Sequence, residues 1–503
     1  MVSLKKHLEE EAARCLLCAD APCSQACKKG DPARAIRAIR FGNEKLAGRW
    51  IAECSDEELE VAERACIHYD RPIRIKEMLR FVATKDVAAE IPLPSLKIDF
   101  CGIPCENPFF LASSSICTNY EMVARAFDAG WAGVFYKTIC MQDIREVSPR
   151  FDACQQEGSS DFYAFRNMEQ LSENPVDVDL DILHRLKQNY PSKVVVASIM
   201  GQTEEQWIEL AKMAEAAGVD AIELNFSCPQ MRLTGMGSDV GQNAEQVLFY
   251  TSFVKRSVSI PVIPKMTPNV THITEPTMAV YFAGADAISA INTIKSVTMG
   301  SRALVSGHKT ISGLSGRAVR PIALRHILEM AQTPMTRTAP KHDDSQNGMY
   351  GKGLEISGIG GIETWHDALE FIQLGCRNVQ VCTAVMQYGY RIIDDLILGM
   401  QHYLAERGVS SLDELVGEEL PNFVTPTDLD RDTIVYPMID RDKCIGCGRC
   451  YVSCQDGGHQ AIEFDSATRQ PRIVGTKCVG CHLCRLVCPA GAIGISKRIA
   501  KKE

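Results

Sequence analysis

The stretch VVVASIMGQTEEQWIELAKMAEAAGVDAIELNFSCP, residues 194–229, decides the fold. It begins with an apolar, β-branched run at 194–200 and ends with a second apolar run at 221–226, and both are typical of buried strands. The segment between them, TEEQWIELAKMAEAAG, has the pattern of an amphipathic helix. A strand, a helix and a second strand in this order predict two parallel strands joined by a helical crossover.

The same alternation extends in both directions, from about residue 105 to about residue 405. It gives eight strand candidates, at 109–113, 133–137, 194–200, 221–226, 262–266, 287–290, 354–358 and 379–383. Eight apolar strands separated by amphipathic segments favour a (β/α)8 TIM barrel over a doubly wound sheet, which stays open as the alternative. The polar insert at 334–352 precedes a strand, so we expect it on the non-catalytic face of the barrel.

The composition of the 503-residue chain is that of a folded protein, with 46% hydrophobic and 23% charged residues. Its net charge of −9 argues against binding to nucleic acid or to an anionic membrane, because both need clustered basic residues. No apolar run approaches the roughly 20 residues of a transmembrane helix. The first residues also have no apolar region like that of a secretory signal. The sequence therefore predicts a cytoplasmic protein without a membrane span.

Four segments follow one another along the chain. We expect a helical domain at 1–90, the barrel at 91–415, a proline-containing linker at 416–437 and a cysteine-rich domain at 438–503. The chain has 22 cysteines, and they concentrate near its two ends, with four in 15–27 and eight in 444–488. In a protein that carries no secretory signal such clusters indicate metal ligands rather than disulfides. Metal chemistry is therefore predicted at both ends.

The C-terminal cysteines form two runs with the spacing C-x2-C-x2-C-x3-C. The runs are Cys444, Cys447, Cys450 and Cys454, and Cys478, Cys481, Cys484 and Cys488. This spacing is typical of two [4Fe-4S] clusters in a ferredoxin-like domain, in which the fourth cysteine of each run binds the other cluster. One cluster would bind Cys444, Cys447, Cys450 and Cys488, and the other Cys478, Cys481, Cys484 and Cys454. A pair of zinc sites is the alternative, and electron transfer is the predicted role.

Polar and glycine residues follow the strand candidates, where barrel enzymes carry their catalytic groups. They are Ala112-Ser113-Ser114, Lys137-Thr138, Asn225 to Pro229, Lys265, Asn292-Thr293, Gly358 to Gly361 and Cys382-Thr383. The GIGG turn after the seventh strand and Cys382-Thr383 after the eighth suit a phosphate site, because backbone N–H groups must approach the anion closely. A lysine at a strand end either extends toward water or stabilises a bound negative charge.

Several segments resemble the dihydroorotate/dihydropyrimidine dehydrogenase family of flavoproteins. They include NPFFLASSS (107–115), FYKTI (135–139), ELNFSCPQM (223–231), PKMTPNVT (264–271), ISGIGGIE (356–363) and VQVCTAVMQYGYRIIDDL (379–396), followed by the two cysteine runs. The resemblance extends in order over about 93–495. It implies FMN in the barrel, uracil or thymine as substrate, and two [4Fe-4S] clusters in the C-terminal domain.

Carried over residue by residue, the resemblance implies three groups of site residues. FMN would be held by Ala112, Ser113, Lys137, Thr138, Lys265, Gly316, Gly360, Gly361, Cys382 and Thr383. The pyrimidine would be bound by Asn167, Glu169, Asn225, Ser227, Asn292 and Thr293. Amides suit a uracil ring, whose edge alternates carbonyl acceptors with N–H donors. Cys228 would be the general acid, exchanging a proton at C5 while hydride passes between flavin N5 and pyrimidine C6. The glycine-rich loop at 235–242 is a candidate lid.

The N-terminal run CLLCADAPCSQAC, residues 15–27, resembles the helical Fe–S domain of dihydropyrimidine dehydrogenases and of glutamate synthase small subunits. The resemblance implies one cluster bound by Cys15, Cys18, Cys23 and Cys66. Only Cys27 and Cys54 remain for a second cluster, which we expect to be absent. A degenerate helical domain that holds free thiols is the alternative.

The chain lacks the dinucleotide fingerprint G-x-G-x-x-G between a strand and a helix. We therefore expect electrons to pass to or from a separate protein, either a flavoprotein with FAD and NAD or a ferredoxin-like donor, and we expect an oligomer. Two other functions stay open. One is dihydroorotate oxidation, although Glu169 would repel the carboxylate of dihydroorotate. The other is an electron-relay subunit with a non-catalytic barrel, against which the intact Cys228 and Lys265 argue.

Overall fold

The computed structural model of the chain describes residues 2–83, 92–155, 162–231, 235–299, 307–336 and 353–501. The chain divides into two compact units. The first comprises Met1–Arg40, Trp50–Thr84 and Phe423–Glu503, and the second comprises Phe41–Arg49 and Lys85–Asn422. The bounds of the four domains proposed from the sequence stay predictions.

The second unit contains a closed barrel of eight parallel strands, which confirms the predicted fold. From first to eighth, the barrel strands are Phe109–Leu111, Gly133–Phe135, Val194–Ile199, Ala221–Asn225, Val262–Lys265, Ala287–Ala290, Glu355–Ile359 and Cys376–Val381. Each pairs with the next along the chain, and the eighth closes on the first through the pairs Val379–Phe109 and Val381–Leu111. The third strand is buried at all six positions, as expected of a parallel strand covered on both faces.

Helices alternate with the barrel strands. The longer ones are Tyr120–Ala129, Val176–Asn189, Glu204–Ala216, Ala244–Ser257, Thr274–Phe282, Arg320–Ala331, Trp365–Gln373 and Ile393–Arg407. Side chains cap several of their first turns, where backbone N–H groups lack partners within the helix. Thr203 accepts a hydrogen bond from the N–H of Gln206, and Thr364 forms a capping box with Asp367. These caps fix where the chain turns from strand to helix.

Two smaller sheets accompany the barrel. A four-stranded antiparallel sheet has the order Ile294–Ser296, Ser312–Ser315, Phe162–Asn167, Phe151–Gln155. Its strands come from the segments after the second and sixth barrel strands, so it extends the carboxyl ends of the barrel. The hairpin of Ile98–Phe100 with Ile103–Cys105 precedes the first barrel strand. Its turn contacts the opposite end of the barrel, because the N–H of Cys101 donates to Glu355 at the start of the seventh strand.

The N-terminal part of the first unit is helical, as predicted. Its helices are Val2–Ala13, Pro22–Gln25, Pro32–Arg40, Asp56–Arg64 and Ile75–Ala83. Pro32 is the first residue of its helix, a position that needs no backbone N–H donor. Ser55 begins the helix Asp56–Arg64 with a capping box to Glu58. The helices place Cys27 and Cys54 in the buried interior of this part.

The C-terminal part of the first unit contains two short helices and three two-stranded ribbons. The helices are Arg449–Gly457 and Leu483–Leu486, and the ribbons pair Thr433–Ile434 with Ile499–Ala500, Pro437–Ile439 with Ile493–Ile495, and Ile462–Asp465 with Gln470–Ile473. Each helix begins inside one of the two cysteine runs. Within the described residues, no helix is both long enough and apolar enough to span a bilayer. Of the predicted insert at 334–352, residues 337–352 lie outside the described residues.

Candidate active site and cluster sites

The carboxyl ends of the barrel strands surround one cavity, with an empty volume of about 1010 Å³ that includes its open mouth. All ten residues predicted to hold FMN line it: Ala112, Ser113, Lys137, Thr138, Lys265, Gly316, Gly360, Gly361, Cys382 and Thr383. Five predicted pyrimidine contacts and the predicted acid line it as well: Asn167, Glu169, Asn225, Asn292, Thr293 and Cys228. A cavity of this size with a few converging polar groups is typical of a cofactor and substrate site.

Ser227 is the one residue predicted to bind the pyrimidine that does not line the cavity. It is fully buried. Its hydroxyl donates to Asn225 Oδ1 over 2.7 Å and accepts from Asn292 Nδ2 over 2.7 Å. The Nδ2 group of Asn225 donates in turn to Thr138 Oγ1 over 2.9 Å. Ser227 therefore fixes the orientation of both amides, with the oxygen of Asn225 and the nitrogen of Asn292 facing its hydroxyl. A direct contact between Ser227 and a pyrimidine stays a prediction.

Glu169 is paired with two cations at the wall of the cavity. Lys137 Nζ donates to Glu169 Oε2 over 3.1 Å, and Arg150 lies 3.6 Å from Oε1. The Lys137 and Glu169 side chains are only 6% and 9% exposed, so solvent screens this pair little. Because two positive groups face one carboxylate, Glu169 is not an isolated negative charge. The repulsion of a dihydroorotate carboxylate that the sequence suggested is correspondingly weaker.

Cys228 lies on the loop that follows the fourth barrel strand and is 5% exposed. Burial raises the pKa of its thiol above the ordinary value of 9.0, while a backbone N–H of Gln230 and the charges of Lys137 and Lys265 act in the opposite direction. The net rise keeps the thiol protonated at neutral pH. This is the state that a proton donor needs.

The candidate lid packs against the backbone around Cys228. Gly237 has a φ of +57°, and a Cβ there would lie 2.4 Å from the carbonyl oxygen of Cys228. A Cβ on Gly241, in the short helix Ser238–Gly241, would lie 2.0 Å from the carbonyl oxygen of Phe226. Both glycines are therefore required by close backbone approach. Of the loop before them, residues 232–234 lie outside the described part of the chain.

Three glycines contribute to the wall of the cavity. Gly316, Gly360 and Gly361 all have positive φ, and a Cβ on Gly361 would lie 2.8 Å from the carbonyl oxygen of Gly316. Beside them the hydroxyls of Ser315 and Thr383 are 2.9 Å apart. Exposed backbone and hydroxyl donors in a cradle without side chains fit a phosphate group. Together with Lys137 and Lys265, which line the same cavity, these groups fit FMN.

Two cavities in the C-terminal part are lined by four cysteines each. One gathers Cys444, Cys447, Cys450 and Cys488, and the other Cys454, Cys478, Cys481 and Cys484. The fourth cysteine of each run thus lies with the first three of the other run, as the spacing predicted. Backbone N–H groups of Ala461 and Ala492 donate to the sulfurs of Cys454 and Cys488 over 3.3 Å, a contact typical of cluster ligands.

The N-terminal cysteines are also brought together. Cys15, Cys18, Cys23 and Cys66 line one apolar cavity together with side chains that include Ile36. Cys27 and Cys54 lie outside this lining and contact each other, with their sulfurs 3.2 Å apart. Within the described residues no cysteine set converges closely enough for a single ion. Zinc would need four sulfurs at about 2.3 Å from one centre, so the larger cage of a cubane fits better.

The sequence did not point to several residues that line the cavity. They are Phe151, Phe165, Gln170, Leu314, Ser315, Gln380 and Met386, among others. Gln380 could have been predicted, because alternate residues of a strand face the same side and Gln380 stands two positions before Cys382. Phe151, Phe165 and Leu314 belong to the antiparallel sheet, whose pairing between distant segments has no local signal.

An eight-stranded parallel barrel with a cofactor cavity at its carboxyl ends, and a domain with two four-cysteine sets, define a flavin-dependent oxidoreductase with an iron–sulfur relay. Residues 95–404 match the family model described as dihydroorotate dehydrogenase, and residues 437–495 match that of a 4Fe-4S dicluster domain. The first match covers more than half of the chain, which therefore belongs to the dihydroorotate dehydrogenase family. FMN and two [4Fe-4S] clusters are its cofactors, as predicted.

Three relatives illustrate the range of the similarity. The chain is 50% identical over 413 residues to the NAD-dependent dihydropyrimidine dehydrogenase subunit PreA of Escherichia coli K12, covering 81% of this chain and 97% of that one. It is 37% identical over 350 residues to the chloroplastic dihydropyrimidine dehydrogenase (NADP(+)) of Arabidopsis thaliana, covering 67% and 79%. It is 34% identical over 327 residues to the catalytic subunit of dihydroorotate dehydrogenase B (NAD(+)) of Pyrococcus abyssi, covering 64% and 98%.

Proposed function

We propose that this chain interconverts uracil or thymine with the corresponding 5,6-dihydropyrimidine. The observation that carries the proposal is the single cavity in which the buried thiol of Cys228 lies with the amides of Asn225 and Asn292. This combination offers a proton donor and paired donor and acceptor groups for a neutral, hydrogen-bonding ring. Two of the three relatives described above are dihydropyrimidine dehydrogenases.

The flavin would be held at both of its ends by the residues that line the cavity. Gly316, Gly360, Gly361 and Thr383 would bind the phosphate, and Lys137 and Lys265 would face the ring together with Ala112, Ser113, Thr138 and Cys382. When bound, FMN supplies the centre that accepts and donates hydride. A lysine beside the ring favours negative charge on it because the cavity wall excludes water.

The pyrimidine would be oriented before any proton moves. Ser227 holds Asn225 and Asn292 in one hydrogen-bonding arrangement. Each amide keeps one N–H for the ring, whereas the oxygen of Asn225 accepts from both the backbone N–H and the hydroxyl of Ser227. Asn167, Glu169 and Thr293 complete the predicted contacts. Cys228 then gives its thiol proton to C5 in reduction and takes the proton back in the reverse direction. The lid residues Gly237 and Ser238 would hold the backbone of Cys228 in place.

Electrons would reach the flavin through the C-terminal clusters. The two cysteine sets described above are their proposed ligands, and the homologue in Escherichia coli is named as a subunit, which supports a separate partner protein. We infer that this partner is a flavoprotein with FAD and NAD or a ferredoxin-like donor. A further [4Fe-4S] cluster on Cys15, Cys18, Cys23 and Cys66 is proposed from their shared cavity.

The test is a substrate screen on the anaerobically purified protein, followed by flavin absorbance. Dihydrouracil or dihydrothymine should reduce the bound flavin and bleach its visible absorbance. Bleaching by dihydroorotate alone would contradict the proposed substrate and favour the alternative enzyme. A flavin that none of the three compounds bleaches, but that a chemical reductant does, would support a relay subunit with a non-catalytic barrel.

A further inference from the structure

Glu223 is a completely buried carboxylate in the middle of the fourth barrel strand. Its two oxygens accept hydrogen bonds from hydroxyls on other strands: Ser198 donates to Oε1 over 2.9 Å, and Ser289 donates to Oε2 over 3.1 Å. Lys265 Nζ on the neighbouring fifth strand lies 3.8 Å from Oε1. A buried carboxylate is tolerated only where partners of this kind replace its water.

The position of Glu223 is behind the wall of the cavity. Lys265 lines the cavity, whereas Glu223 does not. The hydroxyl of Ser198 gives its one hydrogen to Glu223, so the Thr138 hydroxyl, 2.9 Å from Ser198 Oγ, must donate to Ser198. Thr138 lines the cavity and accepts from Asn225. The Glu223 carboxylate is thus connected to the cavity in two ways: through its ion pair with Lys265, and through the hydrogen bonds that link it to Ser198 and Thr138.

We propose that Glu223 is a positioning residue that fixes Lys265 and offsets part of the positive charge that this lysine presents to FMN. Glu223 thereby lowers the midpoint potential of the bound flavin. The proposal rests on the proposed place of FMN in the cavity. Glu223 touches neither cofactor nor substrate, and none of its own bonds changes in the reaction. Its effect is electrostatic and acts through Lys265.

The sign of the effect follows from Coulomb's law in a site that excludes water. The Glu223 carboxylate offsets part of the lysine's charge, and this attraction is strong at a distance of 3.8 Å where solvent is absent. If the carboxylate is replaced by an amide, the lysine's charge acts undiminished on the ring. The reduced, more negative flavin is then stabilised relative to the oxidised flavin. We therefore expect Glu223→Gln to shift the midpoint potential of bound FMN in the positive direction.

The experiment is an anaerobic redox titration of the holoenzyme followed by flavin absorbance. Glu223→Gln should raise the ratio of affinities for reduced and oxidised FMN about tenfold, which is about 30 mV for a two-electron couple. Glu355→Gln is the matched control, because Glu355 is also buried in a barrel strand but does not line or adjoin the cavity. It should leave the potential unchanged. In a Lys265→Met background the Glu223→Gln shift should disappear, as a double-mutant cycle requires of coupled residues.

Several outcomes would overturn the inference. They are an unchanged or more negative potential in Glu223→Gln, an equal shift in Glu355→Gln, or a full shift that persists without Lys265. If Glu223→Gln does not fold, Glu223→Asp keeps a carboxylate but withdraws it from Lys265, and a smaller positive shift is expected. The potential is measured without substrate. A protein that fails to reduce uracil but shows the shift would therefore disprove the proposed function and leave this inference intact.

Discussion

The backbone N–H of Ser238 donates a hydrogen bond to the carbonyl oxygen of Cys228 over 3.0 Å. The residue that begins the short helix of the candidate lid is thereby attached to the residue that carries the proposed acid. Since Gly237 packs against the same carbonyl group, a movement of the loop would either break this hydrogen bond or displace the backbone of Cys228. We therefore expect a movement of the candidate lid to change the placement of the thiol.

Replacing the thiol should separate binding from turnover. We expect Cys228→Ala to keep the flavin and the fold but to lose about 10²- to 10⁴-fold in pyrimidine reduction, the contribution of a positioned acid. The measurement is steady-state turnover with a chemical electron donor. Cys376→Ala is the control, because Cys376 is also buried but does not line the cavity. Turnover of Cys228→Ala at the wild-type rate would assign the acid elsewhere.

The pH dependence of reduction follows from the buried thiol. Reduction needs the protonated form of Cys228, and burial raises the pKa of this thiol above 9.0. Activity should therefore stay constant from neutral pH to about pH 9 and fall only above it. The profile is measured as the pH dependence of kcat for uracil reduction at constant ionic strength. A loss of activity centred near pH 7 would be inconsistent with this acid.

The close approach of the lid to the barrel gives a steric prediction. We expect Gly241→Ala to destabilise the protein by about 1–3 kcal/mol and to lower turnover, because the new methyl group would meet the Phe226 carbonyl oxygen. Gly475→Ala is the matched control, since its Cβ would have no neighbour within 4 Å. Thermal unfolding and turnover are compared for both variants. Equal, unchanged values for both would show that the lid accommodates the methyl group.

Iron analysis tests the N-terminal cluster. We expect about twelve iron atoms per chain, with about eight in the C-terminal clusters. Cys15→Ser should remove about four of them, because Cys15 lines the four-cysteine cavity. Cys27→Ser should remove none, since its thiol contacts Cys54 outside that cavity. An iron content that neither substitution changes would favour the degenerate helical domain with free thiols.

The proposed split of the electron pathway predicts which reductants work. With reduced viologen, the purified chain should reduce uracil, because the clusters accept electrons from a small donor. With NADH alone it should be almost inactive, since the sequence has no dinucleotide fingerprint. Addition of a flavoprotein subunit with FAD and NAD should restore the NADH reaction. Rapid NADH-driven turnover by the isolated chain would refute the split.

The barrel was predictable because its signal is local. Each of the eight strand candidates overlaps a barrel strand, since buried parallel strands are continuous apolar runs bounded by polar strand ends. The same regularity placed Lys137, Lys265 and Thr383 at the cavity, because all strands of a barrel end at one face. The spacing of the C-terminal cysteines is also a local signal, and it was enough to predict which sulfurs lie together.

The rest depends on contacts between distant segments. The antiparallel sheet joins 151–155 and 162–167 to 312–315, and nothing within any one of these segments indicates its partner. The polar interior of the barrel is not predictable from the sequence for a related reason. Glu223 and Ser289 stand in runs whose pattern predicts apolar strands, and their hydrogen bond exists only because the fourth and sixth strands lie on either side of the fifth in the closed barrel.

The exchange of Cys454 and Cys488 between the two cysteine sets has a consequence for biogenesis. Neither set is complete until both runs have folded together, because each borrows its last sulfur from the other. Insertion of the first cubane therefore organises the second site, and loss of either one frees three cysteines of the run that supplies the fourth ligand of the remaining one. Under iron limitation, we accordingly expect most molecules of this protein to contain either both C-terminal clusters or neither, and few to contain only one.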